Sequence, residues 1–290
     1  MRTRISWCAA LMVAASAFAA TTPTGLVVLL TDYGADSVYV GALKGAVYTK
    51  FPGARIDAIS NSVPPFDVVT GAFMLVEASK EFPPGTTFCC VVDPGVGTER
   101  KCVVLETKSG HFFVGPDNGL LSLAAQKLGV VEVRECSNRA LWREGKLSHT
   151  FHGRDIFGPV AAALASGVSL EKVGPVIEAL KRLDLGEVRI ENGAAQGCVA
   201  RSDPYGNLIT NISYEDLTKL GLEKDDIVTV TIGKAEFQAP LKQTYSDVPD
   251  GKRVGLIQSF GYLEFAVNMG SLADEVKEGA HAAVTVRKAQ

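Results

Sequence analysis

Residues 25–37 read Gly25-Leu26-Val27-Val28-Leu29-Leu30-Thr31-Asp32-Tyr33-Gly34-Ala35-Asp36-Ser37. From Gly25 to Leu30 no polar side chain interrupts the run, which is the signature of a strand covered on both faces. The strand ends in a short polar turn, and from Ser37 to Phe51 apolar residues return at helical spacing. Strand, polar turn and helix in succession are the repeating unit of an α/β layered fold. The alternation continues outward with Ile56–Ile59 as a strand, Asp67–Phe82 as a helix, and Thr87–Val92 and Cys102–Thr107 as strands. Lys108-Ser109-Gly110 supplies the turn of a hairpin into His111–Val114. Leu120–Leu128 and Ile156–Ser166 carry helical patterns, the second rich in alanine with Gly158-Pro159 near its start.

Past Leu185-Gly186 the character changes. Val188–Ile190, Gly197–Arg201, Leu208–Ile212, Ile227–Ile232, Val254–Gln258 and Ala282–Arg287 are β-type runs with few helices between them. The expected fold class is therefore α/β. An N-terminal α/β domain over 24–185, with a central, mostly parallel sheet, is followed by a smaller C-terminal all-β barrel domain over 188–290.

Composition narrows the function. The chain has 290 residues, 47% of them hydrophobic, enough to bury one large core or two moderate ones. A formal net charge of −3 with no basic run excludes the electrostatic footprint of nucleic-acid binding. Residues 1–19 combine Arg2 and Arg4, an apolar stretch from Ile5 to Ala15, and the small-x-small exit Ala17-Phe18-Ala19. Those are the parts of a secretory signal peptide, too short for a stable membrane anchor. The alternative is a first core helix that begins with two arginines. The expectation is a periplasmic or secreted protein whose mature form has no membrane segment.

Loss of Cys8 with that segment leaves Cys89, Cys90, Cys102, Cys136 and Cys198. The number is odd, and adjacent Cys89 and Cys90 in a strand point to opposite faces, so buried small hydrophobes are expected in place of a disulfide framework. One bridge stays open. No cysteine pair has CxxC spacing, and none of the 4 histidines is flanked by cysteine ligands, so a zinc site is not expected.

Polar residues collect at the ends of the expected strands, where open α/β sheets place their ligands. In the first turn, Asp32 has the two oxygens needed to accept from both hydroxyls of a ribose diol, whereas Asp36 or Ser37 is equally suited to capping the next helix. Asp93-Pro94-Gly95-Val96-Gly97-Thr98-Glu99-Arg100 ends another strand with glycines that let backbone approach a ligand. Together with Thr150-Phe151-His152-Gly153-Arg154-Asp155 it supplies a carboxylate, a fixed cation and an imidazole. Water activation without a metal needs those three types: one group to orient, one to favour hydroxide, and one tuned near neutral pH. Asp203-Pro204-Tyr205-Gly206-Asn207 reads either as a β-turn or as an aromatic ring beside an amide, able to stack on a purine and bond its edge. Ser259-Phe260-Gly261-Tyr262-Leu263-Glu264 is open in the same way.

Taken together, the blocks TDYGADSVYVGALKG (31–45), VVDPGVGTERK (91–101), VGPDNGLLS (114–122), TFHGRDIFGPVAA (150–162), DPYGNLITNI (203–212) and QSFGYLEFAVNMGS (258–271) resemble the SAM hydroxide adenosyltransferase family. That family is related to the fluorinating and chlorinating enzymes that open S-adenosylmethionine (SAM) at C5′. The resemblance runs from about Val27 to Val284. It implies a catalytic triad of Asp93, Arg100 and His152. It further implies that Asp32 binds ribose, that Phe66, Phe151, Tyr205 and Asn207 surround the adenosine, and that Asp203 and Ser259 take the amino and carboxylate ends of methionine. Ser37 and Glu264 are carried over to the same pocket.

The implied activity is hydrolysis of S-adenosyl-L-methionine to adenosine and L-methionine, with no cofactor or metal. The implied assembly is a homotrimer with sites at subunit interfaces. Halogenating relatives replace the triad aspartate and histidine and place a threonine and a serine around the halide, where this chain has Val96 and Gly153. Loss of those hydroxyls argues for water as the nucleophile. Tyr33 and Tyr205 stand where phenylalanine is more usual. Two rival readings are an exported binder of nucleosides or SAM without turnover, and a chlorinase-like halide adenosyltransferase.

Overall fold

A computed structural model describes residues 21–183 and 186–289, and the segment read as a signal peptide, 1–19, lies outside them. The N-terminal half runs β1 (Leu26–Thr31), α1 (Val38–Lys50), β2 (Arg55–Ser60), α2 (Val68–Ser79), β3 (Thr87–Val91), β4 (Cys102–Thr107), β5 (Phe112–Pro116), α3 (Ser122–Leu128), β6 (Val130–Glu135) and α4 (Gly158–Ala165). The C-terminal half runs β7 (Arg189–Glu191), β8 (Ala194–Ser202), β9 (Leu208–Ser213), α5 (Tyr214–Lys219), β10 (Ile227–Ile232), β11 (Ala235–Lys242), β12 (Arg253–Ile257), β13 (Tyr262–Val267), α6 (Leu272–Val276) and β14 (Ala283–Lys288).

The first sheet has the order β2-β1-β3-β5-β4-β6. Its β2-β1, β1-β3 and β3-β5 pairings are parallel, while β4 pairs antiparallel with β5 and β6. Because side chains alternate along a strand, Val27 and Leu29 of β1 face a core with α1 and α4, and Val28 and Leu30 face a second core with α2 and α3. Cys89 and Cys90 of β3 divide between the same two cores as unbridged hydrophobes. The helix expected from Ile156 begins instead at Gly158, after a single π-helical turn over Gly153–Phe157. The Gly158 N–H bonds back to Gly153 O, and Pro159 has no N–H to offer the regular ladder.

In the second sheet β7 hangs on the outside of β8, and the other seven strands close into a barrel in the order β14-β10-β11-β12-β13-β9-β8, with β14 pairing β8 to complete the ring. The expected α/β fold with a C-terminal β-barrel is therefore what the chain forms. Two barrel strands escape the periodicity reading. Pro240 interrupts the β-type run of β11, and β13 is buried at every position, so it shows no alternation. Its outward face is covered by Phe73 against Tyr262 and by Val248 around Ala266.

Helix α2 joins the two halves. Its Ala72, Phe73 and Val76 pack with Leu123 of α3 against Ala200, Ile209 and Tyr262 of the barrel. Phe73 and Tyr262 meet edge-on at 5.1 Å between ring centroids. Among the described residues no helix is long and apolar enough to cross a membrane.

Candidate active site

The parallel strands β1 and β3 end side by side, Thr31 opposite Val91, so the turns that follow them open at one edge of the sheet. After β3 the chain reverses tightly: Val96 N–H donates to Asp93 O and Thr98 N–H to Gly95 O, with Gly97 at φ 81°. That reversal returns Arg100 to the residue that opened it. Arg100 Nε donates to Asp93 Oδ1 at 2.9 Å and Nη2 to Asp93 Oδ2 at 2.5 Å, a two-point clasp. Nη2 also lies 2.8 Å from His152 Nδ1, and Nη1 donates to Cys102 Sγ at 3.0 Å. The Phe157 ring sits 5.3 Å from the guanidinium carbon. Only 8% of the Arg100 side chain and 6% of the Asp93 side chain are exposed.

His152 starts the π-helical turn, and burial lowers its pKa, with the charge of Arg100 acting in the same direction and Asp93 opposing. Asp155, fully buried, anchors the loop before that turn by accepting from Ser148 N at 2.6 Å and Arg154 Nε at 2.6 Å, with Arg143 at 3.4 Å. Asp93 and His152 line a cavity of about 450 Å³ shared with Asp32, Tyr33, Phe66 and Phe151. Its walls are aromatic. Phe151 meets Tyr33 and Tyr39 edge-on at 5.7 and 5.4 Å, and Arg154 lies over its ring at 4.9 Å.

One oxygen of Asp32 is engaged locally: Oδ2 accepts from Phe66 N at 2.9 Å and so holds Phe66 at φ 67°, a conformation unusual for an aromatic residue. Ser37 has the capping role, its hydroxyl accepting from Tyr39 N at 3.1 Å at the start of α1. Tyr33 fills the floor so closely that a Cβ on Gly153 would stand 2.3 Å from its hydroxyl.

The barrel candidates lie apart from this cavity. Asp203 Oδ1 accepts from Tyr205 N and Asn207 N, and Oδ2 from Asn207 Nδ2, each at 2.9 Å, which builds the turn and leaves Tyr205 77% exposed. Ser259 is exposed in the β12–β13 turn. Glu264 is buried and accepts from the Tyr245 hydroxyl at 2.6 Å. Among the described residues, none of Asp203, Tyr205, Asn207, Ser259 or Glu264 lines the cavity beside His152. Tyr39 and Arg154 on the wall, and Cys102 and Phe157 around Arg100, were given no place in the site by sequence, and Tyr33 stood out only where phenylalanine is more usual. Arg154 and Phe157 stand inside the TFHGRDIFGPVAA block, the one signal that could have found them.

Residues 27–174 match the SAM hydroxide adenosyltransferase N-terminal domain, and residues 197–285 match the C-terminal domain of the same family. The chain is 38% identical over 259 residues to an (R)-S-adenosyl-L-methionine hydrolase from Salinispora tropica, covering 87% of this chain and 94% of that protein. It is 31% identical over 282 residues to a fluorinase from Nocardia brasiliensis, covering 86% and 92%. Its fold is similar to the crystal structure of an uncharacterized conserved protein from Thermotoga maritima, with a TM-score of 0.85 at 40% identity, covering 91% of this chain and 100% of that one.

Proposed function

The chain belongs to the SAM hydroxide adenosyltransferase family and is an S-adenosyl-L-methionine hydrolase, and we propose that Asp93, Arg100 and His152 hold the oxygen that attacks C5′. In this reaction an O–C5′ bond forms and the C5′–S bond breaks. The electron pair goes to sulfur, which leaves as the neutral thioether of L-methionine, and water's proton passes to solvent as adenosine forms. The sulfonium charge already activates the leaving group. The chain's task is to hold oxygen and carbon in line and to limit water around them.

The observation that carries this reading is the sharing of Arg100 Nη2 between Asp93 and His152. A guanidinium only donates, so His152 Nδ1 accepts, and a neutral ring carries its proton on Nε2. In that tautomer Nε2 is a donor to the incoming oxygen, so His152 acts by favouring hydroxide over water. Asp93 fixes the plane of Arg100. Asp32 keeps one oxygen for a ribose hydroxyl, and Phe66 and Phe151 offer faces to the adenosine.

Asp203 and Ser259 take the amino and carboxylate ends of methionine in this reading, with Tyr205 and Asn207 against the adenosine and Glu264 in the same pocket. These residues come from a neighbouring subunit of a homotrimer. Supporting this are the separation of the two residue groups within one chain and the exposure of Phe66 (71%) and Tyr205 (77%), aromatic faces left without cover. The composition of residues 1–19 supports export to the periplasm or beyond.

Incubation with SAM tests the reaction: adenosine and methionine are expected, and no turnover between pH 6 and 9 would leave only a binder. The same incubation in high chloride is expected to give no 5′-chloro-5′-deoxyadenosine; its appearance would make the chain a halide adenosyltransferase. Mixing His152→Ala protein with Asp203→Ala protein tests the shared site. Recovery of activity is expected after subunit exchange, and none would be recovered if each chain built its own site.

A further inference from the structure

Outside the cavity, one buried carboxylate is placed where it touches both barrel turns. Glu77, in the last turn of α2, is 4% exposed and crosses the boundary between the two halves of the chain. Its Oε2 accepts from Arg201 Nη2 at 2.7 Å and from Arg201 Nε at 3.1 Å. Its Oε1 accepts from Gln258 Nε2 at 3.1 Å. Arg201 stands two residues before Asp203, and Gln258 stands immediately before Ser259. The other end of the Gln258 amide accepts from Phe260 N, so it also shapes the turn that carries Ser259.

A buried ion pair is a weak source of stability, because the cost of removing two charges from water offsets most of their attraction. Apolar side chains would have joined α2 to the barrel as well, and Phe73 and Val76 on the same helix already do so. A single carboxylate divided between the roots of two turns does what apolar packing does not: it fixes the distance and orientation of one turn relative to the other. Those turns come from β8–β9 and β12–β13, two hairpins that lie side by side because β13 pairs with β9.

We propose that Glu77 is a positioning residue for the amino-acid end of the substrate, holding the Asp203 and Ser259 turns at the spacing that grips the methionine ammonium and carboxylate. The inference rests on the assignment of those two residues in the proposed function. It separates affinity from chemistry, since Glu77 contacts neither Arg100 nor His152. It also weights the two ends of the substrate differently, since Asp32, Phe66 and Phe151 hold adenosine from the other half of the chain and only Tyr205 and Asn207 share the Asp203 turn.

The test measures kcat and KM for SAM, and the affinity for adenosine alone by calorimetry, in wild-type protein, Glu77→Ala and Gln258→Leu. For Glu77→Ala the KM for SAM is expected to rise about tenfold or more while kcat stays within about twofold and the adenosine affinity falls by about threefold or less, the pattern of lost ground-state binding. Gln258→Leu cuts one arm of the clasp and is expected to show the same split at about threefold; it decides the matter if Glu77→Ala fails to fold. Equal weakening of SAM and adenosine, or an unchanged KM in folded variants, overturns the proposal. Wild-type protein that turns over SAM while both variants behave as wild type removes only this inference. Wild-type protein inactive on SAM removes the functional reading beneath it as well.

Discussion

Arg100 Nη2 stands 2.8 Å from His152 Nδ1. The same nitrogen reaches Asp93 Oδ2 at 2.5 Å, so the imidazole is oriented at one remove by a carboxylate through a guanidinium. This differs from a direct carboxylate–histidine pair. A carboxylate touching Nδ1 would stabilise imidazolium, whereas an adjacent guanidinium favours the neutral ring.

Geometry at Arg100 therefore matters as much as charge. Arg100→Lys keeps the cation but loses the fork that meets Asp93 and His152 together. Turnover of SAM is expected to fall by ~10²-fold or more in Arg100→Lys and in His152→Ala, with the far-ultraviolet spectrum preserved. Wild-type rates in both variants would remove these residues from the reaction.

The pH dependence follows from the lowered pKa of His152, set first by burial and then by Arg100. The acid limb of kcat is expected below the ordinary histidine value of about 6.5, with no loss between pH 7 and 8 from this residue. In stability the sign is the same. Between the folded and unfolded pKa the unfolded chain binds more protons, so the contribution of His152 is complete above about 6.5 and is lost as pH falls toward the folded value. A kcat profile bending at or above pH 7 would contradict the neutral tautomer.

Tyr33 and Gly153 exclude each other's enlargement. An added Cβ at 153 would lie 2.3 Å from the Tyr33 hydroxyl and 3.3 Å from the ring carbon that bears it. Gly153→Ala is expected to cost about 1–3 kcal/mol in chemical unfolding and most of the activity. Adding Tyr33→Phe removes the clashing oxygen, and the double variant is expected to regain both. A double variant no better than Gly153→Ala alone would show that the clash is not the cause.

Asp155 holds the loop that delivers Phe151 and His152. Asp155→Asn keeps the shape but removes the charge facing Arg154 and Arg143. The expected result is a loss of about 2 kcal/mol in unfolding free energy, together with a lower kcat, because the charge-assisted bonds that the buried carboxylate accepts from Ser148 N and Arg154 are lost or weakened. Unchanged stability would mean that the Ser148 and Arg154 contacts do not order this loop.

By itself the sequence determined the layers and the cast. The apolar run Gly25–Leu30, the helical spacing after Ser37 and the short β-runs past Gly186 report burial that is periodic along the chain, and such periodicity is local. It faded where burial was not periodic: β13 is covered on both faces, and Pro240 breaks the pattern of β11. Asp93, Arg100 and His152 were legible as residue types in ordered blocks. Their joining by one guanidinium nitrogen was not, nor were the meeting of Tyr33 with Gly153 and the reach of Glu77 to Arg201 and Gln258. Those contacts link residues distant in the chain, and sheet order, barrel closure and the docking of α2 decide which distant residues meet. A sequence carries the chemistry of each side chain, but the partner that sets its tautomer, its pKa and its reach is chosen by packing in three dimensions.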